Sequence, residues 1–422
     1  MMKKVFTTLV LNCIVLSLYA VGSSGIYQHS VALSGYISAE TGKAPTAYLW
    51  IPEGCQQVKA VVFAQQNMTE EMLFKNPQFR DKLREMDIAL LWVAPWFSQN
   101  WDPASGCQKV FDEMMTAIAY QSAHLEIAKA LIIPFGHSAQ ATFPWNFAAW
   151  NPDRTLCVVS FHGDAPRTNL CGYGTANVEW GRSRNIDGIP GLMIEGEYEW
   201  WEARVRPALA FRMMYPQSCI SFLCDAGSGH FEMMPETADY IALFIRKAIE
   251  NRLQADGSLR PLNPHDGWLA CRYNPDSQPS DGDGARDDVF AVSQRPTPAP
   301  YAYYQGDPHD AFWYFDREMA QQTEARYAAT LGKKPRNIAP VTYAVSKDGQ
   351  TVTLDTPASV HVEVISGPLR KIDNCHFRVY PYECGLDNSK RSFVSWLVAI
   401  QDGDSRYKRA VQPIEVKLPT SF

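Results

Sequence analysis

Short apolar runs recur along the first half of the chain, and segments with helical character separate them. Six runs read as strands: Lys59–Gln66, Ile88–Pro95, Ala130–Ser138, Leu156–Gly163, Gly191–Glu199 and Cys219–Gly227. Strands that are apolar throughout are typical of a parallel sheet buried on both faces. The helix candidates are Pro77–Met86, Gln108–His124, Ala139–Trp150, Trp201–Met214 and Pro235–Leu253. This alternation predicts the α/β class, with a mostly parallel sheet and helices on both faces.

The pattern changes after residue 255. Residues 256–300 are rich in Pro, Gly, Asp and Ser, which is the composition of a loop or linker. Asp310–Gly332 then predicts one amphipathic helix that packs on the preceding domain. Beyond Pro340 come short strand-like runs at a spacing that predicts a small all-β domain, an Ig-like sandwich. We expect this sandwich to be separable and to supply no catalytic group.

The N-terminus has the pattern of an export signal. Two lysines precede a mostly apolar run at Val5–Val21, and small residues follow at Gly22–Gly25. No later run is long enough to predict a membrane span. We therefore expect an exported protein, periplasmic or extracellular, divided into a signal (1–25), an α/β domain (26–255), a linker (256–340) and a β-sandwich (341–422).

Charge and cysteine content narrow the function classes. A net charge of −6 argues against nucleic acid as the main partner, because a phosphate backbone selects for a concentrated positive surface. The cysteines lack the paired spacing of a zinc site, although Cys375 and Cys384 are close enough in sequence for a bridge. Ser280–Asp288 only half matches a calcium loop and is interpreted as a solvated acidic turn. No phosphate or dinucleotide loop is present, so we expect neither a metal nor a cofactor.

The segment IIPFGHSAQATFPW places Ser138 between a predicted strand and a predicted helix. A catalytic serine on such a turn needs small flanking residues so that the backbone can fold sharply. Gly136 supplies the first of them, whereas Gln140 stands where the second is expected and predicts a looser contact between strand and helix, which the small residues Ala139 and Ala141 can relieve. The alternative is an ordinary serine that caps a helix.

Partners for Ser138 follow in the chain order serine, acid, histidine. Glu199 comes three residues after Gly196 at the end of one strand, and His230 lies in a glycine-flanked loop after the last strand. A histidine in this position takes the proton from the serine, while the acid holds the imidazole tautomer and stabilises its charged form. Three residues from successive strand ends predict a nucleophilic triad.

Other residues near these strand ends have alternative interpretations. Asp164 follows the strand that ends at Gly163 and is the alternative acid. Glu197 is a third candidate, or a structural anion. His137 and His162 are interpreted as structural or cleft-lining residues.

On these residues, the region from Val31 to Leu253 resembles the α/β-hydrolase family. The resemblance implies Ser138 as nucleophile, His230 as base and Glu199 as acid. It also implies an oxyanion hole made by the backbone amides of Ala139 and Gln66. The sequence departs from the family at Gln140 and in using Glu as the acid, a longer carboxylate that the family accepts.

Aromatic residues make up 12% of the chain, and aromatic faces can stack on sugar rings. Trp145, Trp180, Trp200 and Arg167 lie near the strand ends, so we expect them to bind substrate. The chain is similar to exported bacterial polysaccharide esterases, which implies a serine esterase that removes acetyl or methyl ester groups from plant polysaccharide, with a carbohydrate ester as its partner. The alternatives are a peptidase or lipase of the same fold, and a non-catalytic glycan-binding protein on a hydrolase scaffold.

Overall fold

The structure is a computed structural model that describes residues 25–169, 177–199, 202–273, 295–380 and 394–419. Several sequence predictions fall outside these residues: the export signal, Trp200, Cys384 as the partner of Cys375, and the acidic turn at 280–288. Within the described ranges, no helix combines the length and the apolar character that crossing a membrane requires.

An eight-stranded sheet forms the centre of the molecule, in the order β1-β2-β4-β3-β5-β6-β7-β8. Strands β3 to β8 run parallel, whereas β1 and β2 join antiparallel at one edge. The strands are β1 (His29–Ala32), β2 (Thr46–Trp50), β3 (Ala60–Gln65), β4 (Ile88–Ala94), β5 (Leu131–His137), β6 (Val158–Phe161), β7 (Pro190–Gly196) and β8 (Cys219–Asp225). The predicted mostly parallel sheet is confirmed.

Helices cover both faces of this sheet, and alternate residues of one strand belong to different cores. In β3, Val62 packs in the larger apolar cluster, while Val61 and Phe63 pack in the second cluster beneath helix α3 (Cys107–Ser122). Burial on both faces explains why the strands are apolar throughout. The helices of this part of the chain are α1 (Thr69–Lys75), α2 (Pro77–Arg84), α3 (Cys107–Ser122), α4 (Phe143–Trp150), α5 (Glu202–Met214) and α6 (Pro235–Arg252).

The predicted helix at Asp310–Gly332 is wrong over its first residues. Ala311–Tyr314 forms a strand, β11, that joins β9 (Trp268–Cys271) and β10 (Ala299–Pro300) in a three-stranded sheet. Helix α7 runs from Arg317 to Ala328. It begins only at Arg317 because the Asp316 side chain accepts a hydrogen bond from a backbone N–H of the first turn and caps the helix there. The aromatic run before Asp316 favours an extended conformation, and it is buried in the main core.

The rest of the C-terminal region is antiparallel and fits an all-β unit; that it is Ig-like remains a prediction. Two sheets have the orders β12-β13-β16-β15 and β14-β17-β18. Their strands are β12 (Thr342–Val345), β13 (Thr351–Asp355), β14 (His361–Ser366), β15 (Leu369–Lys371), β16 (His376–Val379), β17 (Val394–Gln401) and β18 (Ala410–Lys417). An apolar cluster of their own fills the space between them.

Contacts between the C-terminal region and the loops that follow β7 and β8 argue against the expected separable sandwich. Lys408 Nζ lies 2.5 Å from Glu197 Oε1, and both side chains are buried. The ring of Trp396 stacks on that of Phe231, with 5.2 Å between their centroids. Phe231 is the residue after His230. The C-terminal strands therefore cover loops that follow β7 and β8. The strand pattern could not reveal this contact, because the contacting residues are more than 150 positions apart in sequence.

Candidate active site

Ser138 sits at a sharp turn directly after β5. Its φ is 52°, in the left-handed region that non-glycine residues rarely occupy. Gly136 is required by this turn, since a Cβ there would lie 2.0 Å from the carbonyl oxygen of Gln140. A single 3₁₀ turn, Ser138–Gln140, follows, and α4 begins only at Phe143.

The looser contact expected at Gln140 is relieved at Ala141, one of the two small residues from which the sequence predicts that relief. Close packing occurs there: a Cβ on Gly163 would lie 1.9 Å from the Ala141 Cβ. The glycine that permits this approach therefore belongs to the neighbouring strand end, after β6, and not to the serine turn itself.

Ser138, His230 and Glu199 are in contact in the predicted order. The Ser138 Oγ lies 2.7 Å from His230 Nε2, and His230 Nδ1 contacts Glu199 Oε2. Burial, together with the positive charge of Arg204, lowers the pKa of His230 to about 3. A neutral imidazole is the form that can accept a proton from a serine hydroxyl, so the arrangement suits general-base activation of Ser138.

Glu199 lies in a buried polar network. Its Oε1 accepts a hydrogen bond from the Gly196 N–H at 3.2 Å and lies 3.2 Å from His162 Nδ1. Burial acts to raise the pKa of Glu199, whereas the guanidinium of Arg204, 3.8 Å from Oε2, and the Gly196 N–H stabilise its ionised form and oppose that rise. These contacts fix the orientation of the carboxylate that faces His230.

Arg204 is a buried residue of this network that sequence reasoning missed. Its Nη1 lies 3.0 Å from Glu195 Oε2 and donates to the carbonyl oxygen of His162 at 3.3 Å. The Arg204 guanidinium therefore forms ion pairs with both Glu195 and Glu199. Burial raises the pKa of Glu195 well above its ordinary value. Because Glu199 receives further donors, we assign the negative charge to Glu199 and the proton to Glu195.

The alternative acids have other partners. Asp164 accepts a hydrogen bond from the Thr142 hydroxyl at 2.8 Å, and its carbonyl oxygen accepts one from the Trp145 indole at 2.6 Å. Asp164 thus ties the end of β6 to α4. Glu197 contacts Lys408 and accepts a hydrogen bond from the Gly227 amide at 2.9 Å, so it is a structural anion.

Of the two backbone N–H groups predicted to form the oxyanion hole, that of Ala139 can point at a substrate and that of Gln66 cannot. Ala139 is the second residue of its 3₁₀ turn, and the first N–H groups of a helix have no acceptor within it. The Gln66 prediction is wrong, because its N–H donates to the Val93 carbonyl at 2.8 Å and extends the pairing of β3 with β4. In the described part of the chain the next amide, that of Asn67, donates to no acceptor.

Of the described side chains predicted to bind substrate, the two tryptophans are not available for that role. Trp145 and Trp180 are buried, and the Trp180 indole donates to the Asn146 side chain at 2.7 Å. The Arg167 guanidinium lies 5.7 Å above the Trp180 ring and contacts the Tyr215 hydroxyl. Composition alone could not distinguish core tryptophans from cleft tryptophans, and Trp145 and Trp180 both belong to the core.

A cleft of about 630 Å³ opens beside His230, between the loop after β8 and the C-terminal strands. Its walls combine aromatic, apolar and hydrogen-bonding side chains, among them Tyr198, Phe231, Glu232, Arg336, Asn337, Ile338, Val411 and Gln412. Sequence reasoning missed this cleft because nine of its fifteen lining residues come from the predicted linker and the predicted separable sandwich.

Three histidines cluster here: the ring nitrogens of His137, His162 and His230 lie within 4.8 Å of one another. A shared metal is one use for such a set. In this structure His137 Nε2 and His162 Nδ1 instead contact the His230 carbonyl oxygen. The sequence contained a signal for this cluster, because His137 and His162 both stand at the ends of predicted strands that are parallel neighbours in the sheet.

We expect Glu199→Gln to lower kcat on 4-nitrophenyl acetate by about 10³- to 10⁴-fold, because a neutral amide permits the wrong tautomer of His230. Asp164→Asn is the matched control and should cost less than about tenfold, since an amide oxygen still accepts from Thr142. Steady-state kinetics on the two purified variants make the comparison. A larger loss in Asp164→Asn would overturn the choice of acid.

No protein-family model and no curated relative matches the chain. Solved structures that resemble it include a thermostable esterase (12% identity, 47% of this chain and 55% of that chain, TM-score 0.31). A second is Est1E from Butyrivibrio proteoclasticus (13% identity, 53% of this chain and 99% of that chain, TM-score 0.33). A third is MGS-M1, an α/β hydrolase enzyme from a Medee basin deep-sea metagenome library (9% identity, 53% of this chain and 98% of that chain, TM-score 0.37). The match spans about half of the thermostable esterase. Similarity at this level carries no inference about activity, which rests on the site itself.

Proposed function

We propose that this protein is a serine esterase whose nucleophile is Ser138, with His230 as base and Glu199 as orienting acid. The observation that carries the proposal is the 2.7 Å contact from Ser138 Oγ to His230 Nε2, on a serine held at a φ of 52°. A helix-capping serine has no need of a histidine partner or of a left-handed backbone. Strained backbone of this kind persists where function requires it.

The reaction proceeds through an acyl-enzyme. His230 Nε2 takes the hydroxyl proton as Ser138 Oγ bonds to the ester carbonyl carbon, and the carbonyl oxygen becomes an oxyanion. His230 then gives that proton to the departing alcohol as the ester C–O bond breaks. The same imidazole then deprotonates a water molecule, which attacks the acyl carbon. The bond from that carbon to Ser138 Oγ breaks as His230 Nε2 returns the proton to Oγ, which releases the acid and free Ser138. Glu199 stabilises the imidazolium in both halves of the cycle.

The oxyanion is stabilised by the N–H of Ala139 and, in place of Gln66, by the N–H of Asn67. The Asn67 side chain supports this assignment, because its Nδ2 donates to the carbonyl oxygen of His137 at 2.7 Å. That bond ties the loop after β3 to the residue before Ser138. Two amides fixed in this way stabilise charge that develops in the transition state, without reorganisation.

For the substrate we propose a polysaccharide ester carrying acetyl or methyl groups, met outside the cytoplasm after export. The open cleft beside His230 supports a large polar substrate, since Asn337 and Gln412 in its walls can bond hydroxyl groups. The buried Trp145 and Trp180 lend no support, so the cleft carries this part of the proposal.

Esterase activity is tested first with 4-nitrophenyl acetate, using Ser138→Ala as the matched inactive control. Casein and 4-nitrophenyl palmitate test the peptidase and lipase alternatives, and acetylated xylan and methyl-esterified pectin report released acetate and methanol. We expect cleavage of the small ester and of at least one polymer. Binding to a polymer without cleavage of any ester would favour the glycan-binding alternative.

The role of the cleft is tested by Gln412→Ala. We expect this change to raise KM for the polymer about three- to tenfold, because a hydrogen bond to a neutral group is worth about 1 kcal/mol. Turnover of 4-nitrophenyl acetate should not change, as that ester has no sugar hydroxyl groups for Gln412 to bind. Equal effects on both substrates would remove the cleft from substrate binding.

A further inference from the structure

Two buried imidazoles meet at the backbone carbonyl oxygen of His230. His137 Nε2 lies 2.7 Å from this oxygen, and His162 Nδ1 lies 2.9 Å from it. His137 is the last residue of β5 and His162 follows β6, which pairs with β5 in the sheet. Two adjacent strands therefore hold one peptide group of the loop that carries the base.

The partners fix the tautomer of both rings. A carbonyl oxygen only accepts hydrogen bonds, so His137 must carry its proton on Nε2 and His162 on Nδ1. The other nitrogen of His137 faces the Asn67 Nδ2 amide at 3.2 Å, which is a donor. Burial lowers the pKa of both imidazoles well below the ordinary value, so each ring is neutral. A neutral imidazole has one N–H, and in both rings it points at His230.

His162 also touches the acid. Its Nδ1 lies 3.2 Å from Glu199 Oε1, so the same N–H is shared between the loop of the base and the carboxylate that orients the base. The Phe161 ring stacks on His162, with 3.8 Å between centroids and 18° between planes, and restrains its rotation. His162 can thus set the position of Glu199 relative to His230.

We propose that His137 and His162 are positioning residues that hold the His230 imidazole at hydrogen-bond distance from Ser138. This inference rests on the proposed esterase function. Without the two donors, the His230 carbonyl is buried with unmet hydrogen-bonding capacity, and the loop moves to satisfy it. A displacement of about 1 Å at a reacting group can cost about 10²-fold in rate.

The test compares variants that remove the donor with variants that keep it. His162→Leu and His137→Met fill similar volumes without an N–H. His162→Asn and His137→Gln place an amide N–H near the original Nδ1 and Nε2 positions. We expect the first pair to lower kcat for 4-nitrophenyl acetate by about 10²-fold at nearly constant KM, and the amide pair to recover at least a tenth of wild-type kcat. His309→Leu, at an exposed histidine, is the control and should change neither value.

Rates are expressed per active site, titrated by the burst of 4-nitrophenol, so that partial unfolding does not count as lost catalysis. Unchanged kcat per site in His162→Leu and His137→Met would overturn the proposal. Folded amide variants with less than about 1% of wild-type kcat would overturn it as well. These amide variants keep the proposal testable even if the apolar variants fail to fold. An inactive wild-type protein would instead reject the esterase function on which the inference rests.

Discussion

Ser138→Ala is expected to lower kcat for 4-nitrophenyl acetate by roughly 10⁴- to 10⁶-fold, because no other group replaces the attacking oxygen. The loss reflects chemistry and not folding, since alanine keeps the Cβ and the same backbone requirement. Steady-state kinetics measure the effect, and circular dichroism confirms the fold. Activity above a few per cent of wild type would exclude Ser138 as the nucleophile.

A second substitution at this position separates strain from catalysis. Ser138→Gly should be equally inactive but more stable than Ser138→Ala by about 1 kcal/mol, because glycine adopts a φ of 52° without a steric cost. Chemical denaturation of the two variants measures the difference. Equal stability would mean that the turn is not strained.

Removal of the chain beyond Pro340 is expected to abolish soluble, folded protein, and with it all esterase activity. Truncation would expose the apolar cluster around Met234 that the C-terminal strands cover. It would also leave the buried carboxylate of Glu197 without the Lys408 ammonium at 2.5 Å. Loss of one partner of a buried pair costs about 3–5 kcal/mol, which is a large part of the stability of a typical domain.

Point variants test the same contact within the full chain. Lys408→Met should lower the free energy of unfolding by about 3–5 kcal/mol, and Lys408→Met combined with Glu197→Gln should recover part of that loss because no charge is then left buried. Urea denaturation gives both values. A soluble truncated protein that still cleaves 4-nitrophenyl acetate would restore the separable sandwich predicted from the sequence.

The sequence could predict the main sheet because burial on both faces leaves a local signal, an unbroken apolar run. The edge strands β1 and β2 escaped prediction because they are short and only partly buried. The aromatic run at Ala311–Tyr314 also fits an amphipathic pattern, and the sequence therefore predicts a helix there. Its pairing with β9, some 40 residues earlier, decides the conformation.

For the site, the sequence could predict the residues at the strand ends, because parallel strands bring their carboxyl ends to one edge of a sheet. It could not predict hydrogen bonds between distant segments. The engaged amide of Gln66 and the convergence of His137 and His162 on one carbonyl are of this kind. Composition predicts ligand contacts for Trp145 and Trp180, which the structure buries, because composition carries no information on depth.

The most direct test of the central claim is the site of covalent modification by a fluorophosphonate, which reacts with an activated serine. Protein is incubated with the reagent, digested and analysed by mass spectrometry, with His230→Ala in parallel. We predict one adduct on the wild-type protein, on Ser138, and slower labelling by at least about 10²-fold in His230→Ala. An adduct on a different residue, or ester hydrolysis by a protein in which Ser138 stays unmodified, would contradict the account.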